Sequence, residues 1–296
     1  MKQRLCKVVF VLIVGWSIAS SGAETLVRMN GPFSQRDRRF DYSIELLEIA
    51  LKETAPQWGP FRIQILPGTS QRRRLQSLVE KRVDVALHPS TDAVPQQVKG
   101  IPFPIRSGLL GHRVLLIRKE DQERFSRIKT LEDLKNMRFG FSDRWLDHQV
   151  YTQAGIQVVG GNNYEGLFSM LSLKRFDAFP RAVSEVQSEL ALRSASLPNL
   201  AIEKSLILQY HLDEYFFVHI DNRTLFERIQ EGLMKSLRDG IFAAHFNKYF
   251  ENFIRDLKIK DRTLIRFSNS SAPKEFGDKN LWHDFTKASE LSPGKN

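Results

Sequence analysis

From Thr25 to Ala178 the sequence alternates short apolar runs with segments whose apolar residues recur every three or four positions. No other feature constrains the chain so much. Strands separated by one helix pair in parallel, and the helices between them must cover the faces of the sheet. Thr25 to Met29 and Phe61 to Leu66 read as strands around a helix that aligns Phe40, Ile44, Leu47 and Leu51. Pro56 and Gly59-Pro60 stop that helix. A second helix, opened by Thr69 or Ser70, sets Leu75, Leu78 and Val79 on one side, and Val83 to Leu87 reads as a buried parallel strand. A connection rich in Pro and Gly then runs from His88 to Gly111. Arg113 to Arg118, with its unbroken Val114-Leu115-Leu116-Ile117, Arg138 to Phe141 and Ile156 to Val159 read as further strands. Helices are predicted from Thr130, Trp145 and Tyr164, with Gly160-Gly161 as a turn and Asn162 as the last helix's cap. Two closing helices follow. One carries the stripe Phe226, Ile229, Leu233 and Leu237, and the other carries Phe242, Phe246 and Phe250.

One stretch is echoed. Leu78-Val79-Glu80-Lys81-Arg82-Val83-Asp84-Val85 closes a helix and opens a strand, and Leu171-Ser172-Leu173-Lys174-Arg175-Phe176-Asp177-Ala178 repeats that pattern. A basic pair suits the negative end of each helix. The echo predicts two lobes on one supersecondary plan, and it makes Asp177, like Asp84, a structural residue.

The first 23 residues read as a cleaved export signal. Lys2, Arg4 and Lys7 precede an apolar run from Val8 to Ile18, and Ser21-Gly22-Ala23 offers a small-residue cleavage site before Glu24. The apolar run is shorter than the roughly 20 residues a membrane helix needs. The only cysteine, Cys6, leaves with the signal, so the mature chain is expected to lack disulfides and thiolate chemistry. Of the net charge of +10, three units belong to the signal, leaving +7. The densest basic run, Arg72-Arg73-Arg74, has no interleaved aromatics, and no nucleic-acid partner is expected.

Enzyme motifs are missing from the sequence. It contains no His-Glu-x-x-His, no Gly-x-Ser-x-Gly elbow, no phosphate loop and no Gly-x-Gly-x-x-Gly. The expectation is a protein with no catalytic residues, no metal and no cofactor.

Several segments, in their order along the chain, resemble the type 2 periplasmic binding proteins of the family 3, amino-acid-binding kind. They are Asp37-Arg38-Arg39 with Tyr42 to Leu47, Pro102-Phe103-Pro104-Ile105 with Gly108 to Arg113, Arg175 to Arg181, Tyr215 to Val218, and Glu231-Gly232-Leu233 with Asp239-Gly240. The resemblance implies an α/β fold of two lobes, the second inserted in the first. Lobe 1 would comprise residues 24–112 and 216–267, lobe 2 residues 113–215, and residues 268–296 would form a polar tail with Leu281-Trp282 docking back. It further implies a monomer that captures a small polar or anionic solute for an inner-membrane ABC permease. The alternatives are a sensing clamp read by a membrane receptor or kinase and, behind that, a periplasmic hydrolase.

Ligands of open α/β sheets lie off the carboxyl ends of strands. That rule nominates Asn30, Phe33, Thr69, Arg72, His88, Ser90 and Thr91 in one lobe, and Ser142, Trp145, Phe179 and Arg181 in the other. The family's carboxylate-gripping Arg has no counterpart in Ser90-Thr91-Asp92-Ala93-Val94-Pro95-Gln96-Gln97, and Arg181 stands near where its amino-group acid would be. Arg181 either grips an anionic group or pairs with Glu185. Trp145 stacks on a ligand or packs in the core, and His88 donates to ligand or is a satisfied loop histidine.

Overall fold

A computed structural model describes residues 24–32, 38–89, 94–143, 145–272 and 279–286. The export-signal reading, Phe33, Ser90 and Thr91 lie outside them. The first unit is β1 (Thr25–Asn30), α1 (Asp41–Glu53), the single turn α2 (Ala55–Trp58), β2 (Phe61–Leu66), α3 (Gln71–Val79), β3 (Ala86–Pro89) and β4 (Val98–Gly100). The second runs through β5 (His112–Arg118), α4 (Gln122–Ser126), α5 (Leu131–Lys135), β6 (Arg138–Ser142), α6 (Leu146–Gln153), β7 (Gln157–Gly161), α7 (Tyr164–Ser172), β8 (Phe179–Ala182), α8 (Val186–Arg193), β9 (Leu200–Ile202) and β10 (Leu206–Gln209). The chain closes with β11 (Glu214–His219), α9 (Arg223–Arg238), α10 (Ile241–Asp256) and β12 (Thr263–Arg266).

The two units share one plan. β1 and β2 are parallel, Met29 bridges Val85 in parallel, and β3 continues antiparallel to β11. Likewise β6 and β7 are parallel, Phe139 bridges Ala178, and β8 runs antiparallel to β5. The echoed aspartates do the same work twice. Asp84 accepts the Arg28 backbone N–H at 2.8 Å and its Nε at 2.8 Å; Asp177 accepts the Arg138 N–H at 2.9 Å and its Nε at 3.4 Å. Lys81 and Lys174 leave their helices at φ 55° and 61°, and their carbonyls accept from Arg28 and Arg138. Both aspartates are therefore structural, as the echo predicted.

Apolar pattern explains the layers. In β5, Leu115 and Ile117 join one core with Phe139, Phe141 and Tyr151, while Val114 and Leu116 join the other with Leu167, Phe168 and Phe176. A strand buried on both faces has no polar face to show, hence its continuous apolar run. On the first unit α3 packs against β3, β4 and β11 and α1 against β2, while α9 and α10 pack on α1. Gly232 lets α9 approach α1 so closely that a Cβ there would lie 2.0 Å from the Ala50 carbonyl oxygen. The buried stripe of α9 is Leu225, Arg228, Ile229, Gly232, Leu233 and Ser236, with Phe226 and Leu237 at its margins.

Several local expectations shift. The strand expected from Val83 begins at Ala86; before it, the Asp84 and Val85 backbones reach β1 only through the Arg28 carbonyl and the single bridge of Val85 to Met29. The helix α7 is capped by Asn163, not Asn162, whose neighbour's Oδ1 accepts the Gly166 N–H at 3.1 Å. Gly160 and Gly161 are not a turn but the end of β7, where Asp143 and Leu167 leave no space for side chains. The strand β12, read as part of the first lobe, instead pairs with β10. Leu281 and Trp282 do dock back: Trp282 lies against Gly108 and stacks on His211 at 4.0 Å, and Phe285 is fully buried against His112 and Phe246. Among the described residues, no helix is long and apolar enough to cross a membrane.

Candidate functional site

At the carboxyl end of the first sheet, Asn30 donates from Nδ2 to the Pro67 carbonyl at 3.0 Å, while its Oδ1 is buried without a partner. A buried unpaired acceptor costs about 1–3 kcal/mol unless something donates to it. Asn30 and half-buried Thr69 line an open groove of about 490 Å³ together with Arg73, Gln76, Ser77 and Arg82. Arg72, the residue nominated from the sequence, is exposed and does not line it. Positions 73, 76 and 77 share one helix face, one step round from 72, and only the start and register of α3 settle which arginine faces the groove.

His88 is half-buried at the end of β3, edge-on to Phe217, with Nδ1 2.7 Å from the Pro89 carbonyl oxygen. Burial, helped by the nearby Arg74 charge, brings its pKa down to about 4. The ring is neutral at pH 7, Nδ1–H donates to Pro89, and Nε2 keeps its lone pair. Arg74 is itself buried over the Phe40 ring, 5.1 Å from its centroid.

The second sheet gathers more of its nominees. Trp145, the residue preceding α6, stacks parallel to Phe179 with centroids 6.2 Å apart, and Tyr164, the first residue of α7, lies across Trp145. Arg181 is 5 % exposed. Its Nε and Nη2 donate to the two oxygens of Glu189, both at 2.6 Å, and Nη2 donates to Glu185 at 2.7 Å. Its guanidinium carbon is 4.9 Å from the Phe179 centroid, 5.1 Å from Trp145 and 5.6 Å from Tyr164. Burial works against the charges here. It would raise Glu189, but Arg181, Tyr164 and Arg193 hold that carboxyl below its ordinary range. It would lower Arg181, but Glu189 and Glu185 raise it instead. Ser142 is buried at the end of β6. Trp145, Phe179 and Arg181 thus form one cluster, Asn30 and Thr69 a second, and His88 stands apart from both. Sequence reasoning found the Arg181–Glu185 pair at its i, i+4 spacing but missed Glu189 and Tyr164, which arrive from a further helical turn and a separate helix.

Residues 101–111 and 210–213 join the two sheets. They touch so closely that a Cβ on Gly111 would lie 2.1 Å from the Tyr210 carbonyl oxygen. Asp213 ties them together, accepting the backbone N–H groups of Arg106 at 3.2 Å and of Gly108. Burial pushes its pKa up to about 7 despite these donors. On the second sheet's side, Arg113 pairs with Asp147 at 2.8 Å and donates to the Tyr210 hydroxyl at 2.8 Å. On the first, Arg106 pairs with Glu214 at 3.0 Å. Among the described residues, no group of three or more His, Cys, Asp or Glu side chains is placed to hold a metal ion.

No family model matches the chain, and no curated protein matches it either. Solved structures do. An ancestral arginine-binding protein bound to arginine superposes with a TM-score of 0.56 at 20% identity, covering 77% of this chain and 99% of that one. The GluR0 ligand-binding core in complex with L-glutamate gives 0.55 at 14% identity, over 77% and 100%. A substrate-binding protein of an amino acid ABC transporter from Streptococcus pneumoniae, bound to L-arginine, gives 0.54 at 16% identity, over 79% and 95%. With the duplicated strand plan, these similarities establish the fold: this chain is a two-lobed α/β protein with the architecture of the type 2, amino-acid-type solute-binding proteins.

Proposed function

We propose that the chain is a solute-binding protein that works outside the cytoplasm, after loss of residues 1–23, and delivers a small polar or anionic solute to an ABC permease. Its lobes would be residues 24–112 with 216–262, and residues 113–215 with the returning strand β12, closing on the solute by hinge motion about the joining segments. The observation that carries the reading is the placement of polar groups at the carboxyl ends of both sheets, where ligands of such sheets lie. Asn30 with its unpartnered Oδ1, Thr69 and Arg73 stand at one end; Ser142, Trp145 and Glu185 stand at the other. Two of the similar structures hold arginine. Here the second sheet's carboxylates are already occupied by Arg181, which favours an anionic or neutral polar solute over a cationic one.

The test is a thermal-shift screen of residues 24–296 against amino acids, organic acids, sugars, polyamines and phosphorylated metabolites. A solute at 100 times its dissociation constant stabilises the native state by about 2.7 kcal/mol, a clear upward shift. An anionic hit that Asn30→Ala weakens supports the reading. No hit from any class, with stabilisation by a membrane receptor domain instead, replaces uptake by sensing.

A further inference from the structure

We propose that Arg181 is a specificity-determining residue: a built-in guanidinium that fills a carboxylate-and-aromatic recess of the second sheet, so that cationic groups of solutes cannot occupy it. This rests on the solute-binding reading for its use, but the recess and its chemistry stand on their own geometry.

The recess has the parts of a complete guanidinium receptor. Glu189 meets the Nε–Nη2 edge of Arg181 with two bonds of 2.6 Å, the fork geometry that distinguishes guanidinium from ammonium. Glu185 takes a further Nη2 hydrogen at 2.7 Å. Tyr164 donates its hydroxyl to Glu189, fixing that carboxylate. Three rings, those of Trp145, Tyr164 and Phe179, lie within 5.6 Å of the guanidinium carbon. A planar cation among such ring faces gains cation–π attraction. Trp145 and Tyr164 stand where helices begin after β6 and β7, the end at which solutes lie, and Glu185 precedes α8 after β8; Arg181 and Phe179 reach them from β8 itself and Glu189 from one turn into α8.

Comparison of the two halves of the chain shows that the cation is a local feature. Aligning Asp84 with Asp177 sets Arg181 against His88, which is uncharged and bonded only to its own neighbour's carbonyl. Nothing in the shared plan demands an arginine there. Truncating its side chain would leave Glu189 buried with its fork unoccupied, while Trp145, Tyr164 and Glu185, all half-buried, form the wall toward solvent. A recess with two carboxylates and one missing cation then selects a small guanidinium compound from solution.

The experiment titrates Arg181→Ala with methylguanidinium, methylammonium and methylurea, following melting temperature and intrinsic tryptophan fluorescence, since Trp145 borders the recess. Methylguanidinium is expected to raise the melting temperature of the variant and leave wild type unmoved, with at least tenfold weaker responses to methylammonium, which lacks the fork, and methylurea, which lacks the charge. Arg181→Ala/Glu189→Gln, relieved of one buried carboxylate, is expected to fold and to lose at least tenfold in methylguanidinium affinity. If Arg181→Ala folds only when methylguanidinium is present during refolding, the proposal is supported equally. A folded Arg181→Ala that ignores methylguanidinium, or answers methylammonium as strongly, overturns it. So does an unfolded Arg181→Ala that methylguanidinium does not restore while the double variant folds. None of these readouts depends on the natural solute, so a failed solute screen and a failed recess remain distinguishable.

Discussion

Asp177→Ala is expected to destabilise the protein by about 3 kcal/mol, and Asp84→Ala by about 2 kcal/mol. Each carboxylate accepts a backbone N–H and an arginine Nε, and bonds to charged groups contribute about 1.5–3 kcal/mol. The Asp84 bonds are the shorter ones, but the Asp84 carboxylate is 19% exposed and its attraction to Arg28 is screened by water. Asp177 is 9% exposed and also faces Arg124 at 3.3 Å and buried Arg118 at 3.7 Å, so its removal leaves more cations short of a partner. Urea unfolding at pH 7 reads the two costs. With m of roughly 3 kcal/mol/M, the midpoints should fall by about 1 M and 0.7 M with m unchanged. Burial alone would raise the Asp177 carboxyl, yet the Arg138 bonds and Arg124 hold it below the ordinary value. Its stabilisation is therefore complete above the unfolded value near 3.9, and the gap between wild type and Asp177→Ala should close as pH falls below that. A cost for Asp84→Ala equal to or above that for Asp177→Ala would refute the argument that burial outweighs bond length here.

Other outcomes can be stated briefly. Burial holds His112, and likewise His88, down to about 4, so protonation favours the unfolded chain. Each should cost about 2 kcal/mol between pH 7 and pH 5. Asp213, raised to about 7, shifts stability the opposite way in that window, so the quantity to measure is the difference between wild type and His112→Gln by urea unfolding at both pH values. Gly232→Ala should cost more than 2 kcal/mol, because the added Cβ meets the α1 backbone, whereas Gly240→Ala meets open space and should cost only the left-handed strain of about 1 kcal/mol at φ 75°. Equal melting temperatures for these two variants would contradict that account. Trp282→Ala should loosen the joining segments, seen as roughly tenfold faster amide exchange at Ser107–Gly111 for about 1.4 kcal/mol of lost local stability. Unchanged exchange would mean that the docked segment restrains nothing.

What could be read from the sequence was whatever local pattern controls. The alternation of periods placed β2 with its observed bounds, β1, β5, β6 and α7 within a residue or two, and the apolar stripes of α9 and α10 but not their full lengths, because burial face is written every second or every third and fourth residue. The echo around Asp84 and Asp177 was legible because both halves repeat one local residue order, although each aspartate acts on a distant strand, at Arg28 and at Arg138. The pair of Gly160 and Gly161 misled, since glycine marks close approach as readily as a turn. Contacts between distant segments left no trace. Glu189 reaches Arg181 from the next turn of a helix and Tyr164 from another element, while Asp147 meets Arg113 and Tyr210 across three. No spacing rule connects such residues, and the arginine chosen for the groove was one helical step from Arg73, which lines it together with Arg82.

The pairing of β12 with β10 has a consequence for how the molecule is made. The five-stranded sheet, otherwise built from residues between His112 and Gln209, receives its edge strand only when Thr263–Arg266 arrives. As the chain emerges from its amino end, Leu206–Gln209 must wait through α9 and α10 with an open edge, and an unpaired strand edge is a template for wrong partners. The order of synthesis thus runs ahead of the order in which the second half can be finished, and a chain shortened before Thr263 would leave that edge permanently exposed.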